Sequence, residues 1–415
     1  MRSILLAAVA LLAWPACAET DAELIARAHA IHDRTLTIDT HVDIPANFGS
    51  DAYDMMKPGP RGQQVHLPTM LEGGLDATFL IVFVGQGERS TWGYAKALSD
   101  AFVKFAAIHK VADATYHDKM ELAYTAADVR RIYKSGKKVA LIGVENGYPI
   151  GKDIRLLDQF YDYGARYFGE VHNGHNDLAD SAQPDKRRNE AAEEHGGLSP
   201  LGKDVVRRLN ELGIMVDVSH SSDKSTLEMA RLSAAPIIAS HSGVKGVFAH
   251  PRNLTDEGLL AIKKTGGVAQ MIAFDDYLRA VAPEKTAEIS ALYKEYGLTQ
   301  PGDLAKLPAD ALAAYDRKMS ELELKWPRAG VRELIDHVDY AVKKAGIDTV
   351  GIASDFNGGG GIAGWNSAAE TFNVTLEMVK RGYTEEQIAK IWGGNLLRVM
   401  ERVEEHAARE KKKHK

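Results

Sequence analysis

The chain has 415 residues, 45% hydrophobic and 26% charged, with a formal net charge of −6 at pH 7 and one cysteine. So mild an acidic balance, with no basic stripe, argues against nucleic acid as a partner, and one cysteine excludes an internal disulfide framework. The length could hold two or three average domains, yet α/β barrels often exceed the average while remaining one unit.

The first segment, 1–18, runs from Met1-Arg2 through the apolar stretch Ile4 to Trp14 to Ala16-Cys17-Ala18. It reads as a secretory signal peptide cleaved after Ala18, too short to span a bilayer, so a secreted or periplasmic product without a transmembrane span is expected. Acylation of Cys17 is the competing reading, which the preceding Trp14-Pro15-Ala16 suits poorly. Cleavage removes Cys17, so a homodimer would have to form without a disulfide.

Eight short apolar or β-branched runs follow in chain order: Leu36–Asp39, Ala77–Val84, Lys138–Val144, Ala165–Val171, Ile214–Val218, Pro236–Ala239, Gly267–Ile272 and Thr349–Ala353. Several are nearly continuous apolar segments, as expected of parallel strands buried on both faces. Helical patterns lie between them, such as Leu201 to Leu212 ending at Gly213. Eight strands alternating with helices predict an α/β fold: one (β/α)8 TIM-type barrel over 19–407.

The connection between the seventh and eighth runs is oversized. Residues 275–344 read as a helical insertion, with helices over Pro283–Tyr296 and Ala309–Leu324, and serve either as a wall of the site or as solvated decoration. A helix over Thr384–Ala407 closes the domain, and the basic tail 408–415, with Lys411-Lys412-Lys413-His414-Lys415, is expected to be a disordered, solvated end.

Polar residues suited to metal binding follow the runs at their C-terminal ends. Thr40-His41-Val42-Asp43 follows the first, and its i, i+2 spacing points His41 and Asp43 to one side of an extended backbone, though a local His–Asp hydrogen-bond pair fits as well. Glu145 follows the third run, where an uncompensated carboxylate would be costly to bury, so it is salt-bridged, protonated or coordinated. His220 and His241 sit in matching Ser-His-Ser triplets after the fifth and sixth runs, and Asp355 follows the eighth. Nitrogen and oxygen donors without thiolate suit a hydrolytic zinc pair, and ligand type alone leaves manganese or cobalt open.

These residues, in order, resemble the signature of the membrane dipeptidase (renal dipeptidase) family: His41-Val42-Asp43, Gly143-Val144-Glu145-Asn146-Gly147, Asp217-Val218-Ser219-His220, Ser240-His241-Ser242 and Ser354-Asp355-Phe356-Asn357-Gly358. Leu67-Pro68-Thr69-Met70, Arg166-Tyr167 with His172-Asn173, Pro251-Arg252-Asn253 and Gly393-Gly394-Asn395 extend the match across most of the chain. The resemblance implies a zinc metallodipeptidase with a barrel of the metal-dependent hydrolase kind and two Zn2+ per chain, bridged by Glu145 and a hydroxide. It implies that His41 and Asp43 hold one zinc and His220 and His241 the other. It further implies that His172 polarises the peptide carbonyl, that Arg252 clamps the carboxylate of a dipeptide substrate, and that Asp355 shuttles the proton. On residues alone, His172 could be a backbone-bonded loop histidine, Arg252 a surface residue and Asp355 an orienting group behind a ligand.

Residues 408–415 are not a hydrophobic tail, so the membrane anchorage of the family's name is not expected to transfer. A related binuclear amidohydrolase acting on a β-lactam, lactone or N-acyl amino acid is the alternative, and a metal-dependent periplasmic solute-binding protein the third reading.

Overall fold

The computed structural model describes residues 19–58, 63–298, 304 and 307–413; the segment 1–18, with the signal-peptide expectation and Cys17, lies outside them. Among the described residues no helix is long and apolar enough to cross a membrane.

The described residues form nine parallel strands: β1 (Ile38–Asp43), β2 (Ala77–Phe83), β3 (Met120–Leu122), β4 (Lys138–Glu145), β5 (Ala165–Gly169), β6 (Met215–Asp217), β7 (Ile238–Ser242), β8 (Val268–Ile272) and β9 (Val350–Ala353). Eight of them run in the order β1-β2-β4-β5-β6-β7-β8-β9. The ring closes where the chain after β9 returns to β1: Asp355 N–H donates to His41 O (3.1 Å) and Asp43 N–H to Phe356 O (2.9 Å). This is the (β/α)8 barrel expected from the eight apolar runs, whose strands are buried on both faces.

The strand left out of the expectation is β3, which pairs with the start of β4 (Met120↔Lys138) ahead of the point where β5 joins it. Three residues in Met-Glu-Leu carry too little pattern to be read as a strand. β1 and β7 extend four and three residues past their expected ends, and therefore contain His41, Asp43 and His241. Polar side chains interrupt the apolar pattern there, while the backbone ladder continues.

Two helical boundaries also differ. Within 275–344, the helix Val331–Ala345 buries Leu334, Ile335, Val338 and Ala341 against the barrel and is its own outer-layer helix. Among the described residues only the helices Asp275–Leu278, Pro283–Glu295 and Ala309–Lys325 are extra, and the last two share a small core with Leu292, Leu298, Leu304 and Tyr315. The expected helix over Thr384–Ala407 is instead a short helix Glu385–Ala389, a π-helical turn Lys390–Gly394 and a helix Asn395–Lys413. The basic tail is thus helical through Lys413, a correction to its expected disorder. Lys411, Lys412 and Lys413 are exposed in the last turn, where cations complement the helix dipole.

Candidate metal centre

All the expected donors lie at the C-terminal mouth of the barrel. His41 and Asp43 end β1, Glu145 ends β4, and His241 lies in β7. His172 and His220 lie three residues beyond β5 and β6, and Asp355 two beyond β9. The pairing Asp217↔Ile238 puts His220 and His241 at the same offset in neighbouring strands, as the paired Ser-His-Ser triplets suggested.

The backbone is strained here. His220 (φ 67°), Asp355 (φ 57°), Asn146 (φ 71°) and Asn357 (φ 63°) occupy the left-handed region, which costs a non-glycine residue about 1–3 kcal/mol and persists where surrounding structure enforces it. Gly358 brings the loop against the site: a Cβ there would stand 2.1 Å from Asp43 Oδ2 and 2.4 Å from Asp355 Oδ1.

The two oxygens of Glu145 face different partners. Oε1 is 3.0 Å from His220 Nε2 and 3.4 Å from His241 Nε2, and those two nitrogens are 3.0 Å apart. Oε2 is 3.5 Å from His41 Nε2, which is 3.7 Å from Asp43 Oδ2 and 3.9 Å from Asp355 Oδ1. Tetrahedral ligands about 2.05 Å from zinc stand about 3.3 Å from one another, so both sets have the spacing of a coordination shell. His172 Nε2 is farther out, 4.0 Å from Glu145 Oε1. Asp355 groups with His41 and Asp43 closely enough to be a ligand as well as a proton carrier.

Partners of the other ring nitrogen fix how these imidazoles present themselves. Tyr167 donates its hydroxyl proton to Thr40 O, so at 2.8 Å it can only accept from His41 Nδ1. Ser240 donates to Asp217 Oδ2 (2.6 Å) and so accepts from His241 Nδ1 at 2.8 Å. Asn173 Oδ1, 3.2 Å from His220 Nδ1, is an acceptor too. In each neutral ring Nδ1 therefore carries the proton, and Nε2 turns a lone pair toward Glu145. Three lone pairs converging on a carboxylate repel one another, and the buried His41 Nε2 has no hydrogen-bond partner among the described residues. Divalent cations turn that repulsion into coordination, so the donor set fits them.

Electrostatics agree. Burial disfavours the charged imidazolium and holds His172 below, and His220 and His241 well below, the ordinary histidine range, leaving them neutral as ligation requires. At His41 burial is outweighed by Glu145, Asp43 and Asp355, which push it up to about 10; the same negative field favours a metal cation at Nε2. Burial raises Asp43 to about 6 and Asp355 well above the carboxylate range, with His41 opposing in both. Burial raises Glu145, but the charge of His41 beside it outweighs this and holds it well below that range.

A cavity of about 440 Å3 opens over these groups, lined by Ile44–Ala46, Phe83, Lys104, His172, Phe274 and Tyr277 among others. Phe274 and Tyr277 lie at the start of the long connection, so its first turn forms a wall of the site. Arg252 is buried, not a surface residue: its Nη2 donates to His241 O (3.1 Å), its guanidinium lies over the Tyr277 ring and its Nε has no hydrogen-bond partner among the described residues.

Tyr167, Ser240 and Asn173 were missed as supports, because nothing local marks a side chain that meets a histidine of another strand. Lys104 did carry a signal. On the helix Thr91–His109 it falls in phase with the buried Ala97, Ala101, Phe105 and Ile108, an unusual place for a lysine. Tyr167→Phe is expected to free His41 Nδ1 and weaken metal affinity about 10- to 100-fold. Titration against a chelating dye measures this, and unchanged affinity would remove Tyr167 from the site.

Fold and donor set together define a (β/α)8 barrel of the metal-dependent hydrolase class. The family described as membrane dipeptidase (peptidase family M19) matches residues 25–414, and the chain belongs to this family of metallodipeptidases, hydrolases of peptide bonds. It is 30% identical over 352 residues, 84% of this chain and 71% of the relative, to dipeptidase tcpJ of Claviceps purpurea (strain 20.1). It superimposes on the probable dipeptidase PvdM of Pseudomonas aeruginosa with a TM-score of 0.79 and 36% identity, covering 94% of this chain and 100% of that one. A metallopeptidase of Rhodobacter sphaeroides, solved with a phosphinate mimic of the dipeptide L-Ala-D-Ala, shares the fold (TM-score 0.66, 22% identity), covering 89% of this chain and 99% of that one.

Proposed function

We propose that this protein is a zinc dipeptidase that hydrolyses the single amide of a dipeptide, with His41 and Asp43 holding one ion, His220 and His241 the other, and Glu145 spanning both. The observation that carries this reading is the convergence of three Nε2 lone pairs on the two oxygens of Glu145. Ions held by these donors would supply the nucleophile, by lowering the pKa of a water toward neutrality.

The remaining work falls to the chain's own groups. Arg252, with an unpartnered Nε and a planar fork, binds the substrate's terminal carboxylate and fixes the amide over Glu145. His172, kept neutral by burial, offers an N–H to the carbonyl oxygen as it gains negative charge. Asp355 takes the proton from the attacking water and delivers it to the leaving amine. A cavity of about 440 Å3 is of a size to enclose a dipeptide.

Elemental analysis of the purified chain is expected to find two zinc ions, and a chelator such as 1,10-phenanthroline to abolish dipeptide hydrolysis until zinc is restored. A substrate panel is expected to favour dipeptides over N-acyl amino acids, lactones and β-lactams. Full activity after complete metal removal, or a stronger preference for one of the other amides or esters, would overturn this reading.

A further inference from the structure

We propose that Lys104 is a specificity-determining residue that selects dipeptides with an acidic side chain on the N-terminal residue. The inference rests on the dipeptidase reading above, and in particular on Arg252 holding the C-terminal carboxylate.

Position is the first argument. In the closed ring, β2 and β7 are separated by four steps of eight and so face each other across the mouth. Arg252 is tied to the end of β7 through His241 O, while the Lys104 ammonium lies 5.7 Å from the centre of the Phe83 ring, the last residue of β2. A dipeptide with its carboxylate on Arg252 and its amide over Glu145 therefore extends its N-terminal residue toward Phe83 and Lys104. Phe83 in turn packs 4.6 Å, centre to centre, from the His172 ring, so this wall is continuous with the reacting centre.

Charge is the second. The half-buried Lys104 makes no ion pair within 4 Å among the described residues, although Asp43, Glu145 and Asp100 are the anions that act on it. Each is already engaged: Asp100 pairs with Lys96 at 2.6 Å, and Asp43 and Glu145 belong to the metal-binding sets. An ammonium placed on the core face of a helix, desolvated and aimed into a cavity without a counter-ion, is costly unless an anion meets it there. The substrate side chain is the group that can reach this end of the cavity. A glutamyl or aspartyl carboxylate satisfies Lys104, a glutaminyl amide does so only weakly, and a lysyl ammonium is repelled.

The test is steady-state kcat/KM of the zinc-loaded full chain on L-glutamyl-L-alanine, L-glutaminyl-L-alanine and L-lysyl-L-alanine. Wild type is expected to favour glutamyl over glutaminyl substrate by on the order of tenfold to a hundredfold, as for a charge-assisted hydrogen bond in a partly desolvated site. Lys104→Met, close in volume and helix propensity, should bring that ratio to about one. Lys104→Arg should keep it, and Lys104→Glu should turn the preference toward the lysyl substrate. Using a ratio within each variant cancels any general loss of folded or active protein. A ratio near one in wild type, or one unchanged in Lys104→Met, would overturn the assignment and reduce Lys104 to a neutralising charge beside Asp43 and Glu145. A wild type that turns over none of the three dipeptides would instead refute the dipeptidase reading itself.

Discussion

Glu145→Gln is expected to strip metal from both halves of the site and to lower kcat/KM by at least about a thousandfold. The estimate follows from the several kcal/mol that bound cations remove from a hydrolytic barrier. The carboxylate presents one oxygen to His220 and His241 and the other to His41, and an amide cannot offer two anionic oxygens. His220→Ala, by contrast, removes a donor from one set and should cost chiefly one ion per chain. Elemental analysis with kinetics separates the two, and a Glu145→Gln protein with two tightly held ions and near-normal turnover would refute the bridging role.

Asp355→Asn is expected to lower kcat by about 10^2 to 10^4, the range for removing a positioned proton carrier, while leaving two metal ions in place. The geometry makes this an open contest, because Asp355 Oδ1 stands 3.9 Å from His41 Nε2, in one group with Asp43. Loss of one ion along with activity would reassign Asp355 as a ligand. Retained metal with normal kcat would leave it a structural role, bracing the left-handed turn that closes the barrel between β9 and β1.

Much of this architecture was legible before any coordinates. Ala77–Phe83 and Lys138–Glu145 are almost wholly apolar because both faces of a parallel barrel strand are covered, one by the barrel interior and one by the helices. His41, Glu145, His220, His241 and Asp355 stood out because polar side chains break such runs only where the strands reach solvent or a site. Less legible were the strand ends, since in β1 and β7 the hydrogen-bond ladder runs on through polar residues that end the hydrophobic pattern. The helix Val331–Ala345 was grouped with the insertion because helical periodicity says that a face is buried, but not against which body.

By itself, then, the amino-acid sequence determined the barrel of eight apolar strands and which histidines and carboxylates follow them at its mouth, because each follows from local periodicity and from the cost of burying charge. Only the tertiary structure decided which nitrogen of each histidine is free, how Arg252 is buried, and that Lys104 lines the cavity over the metal-binding groups. Those outcomes depend on contacts such as Tyr167 with His41 and Ser240 with Asp217, between residues far apart in the chain, which no spacing encodes until the ring has closed.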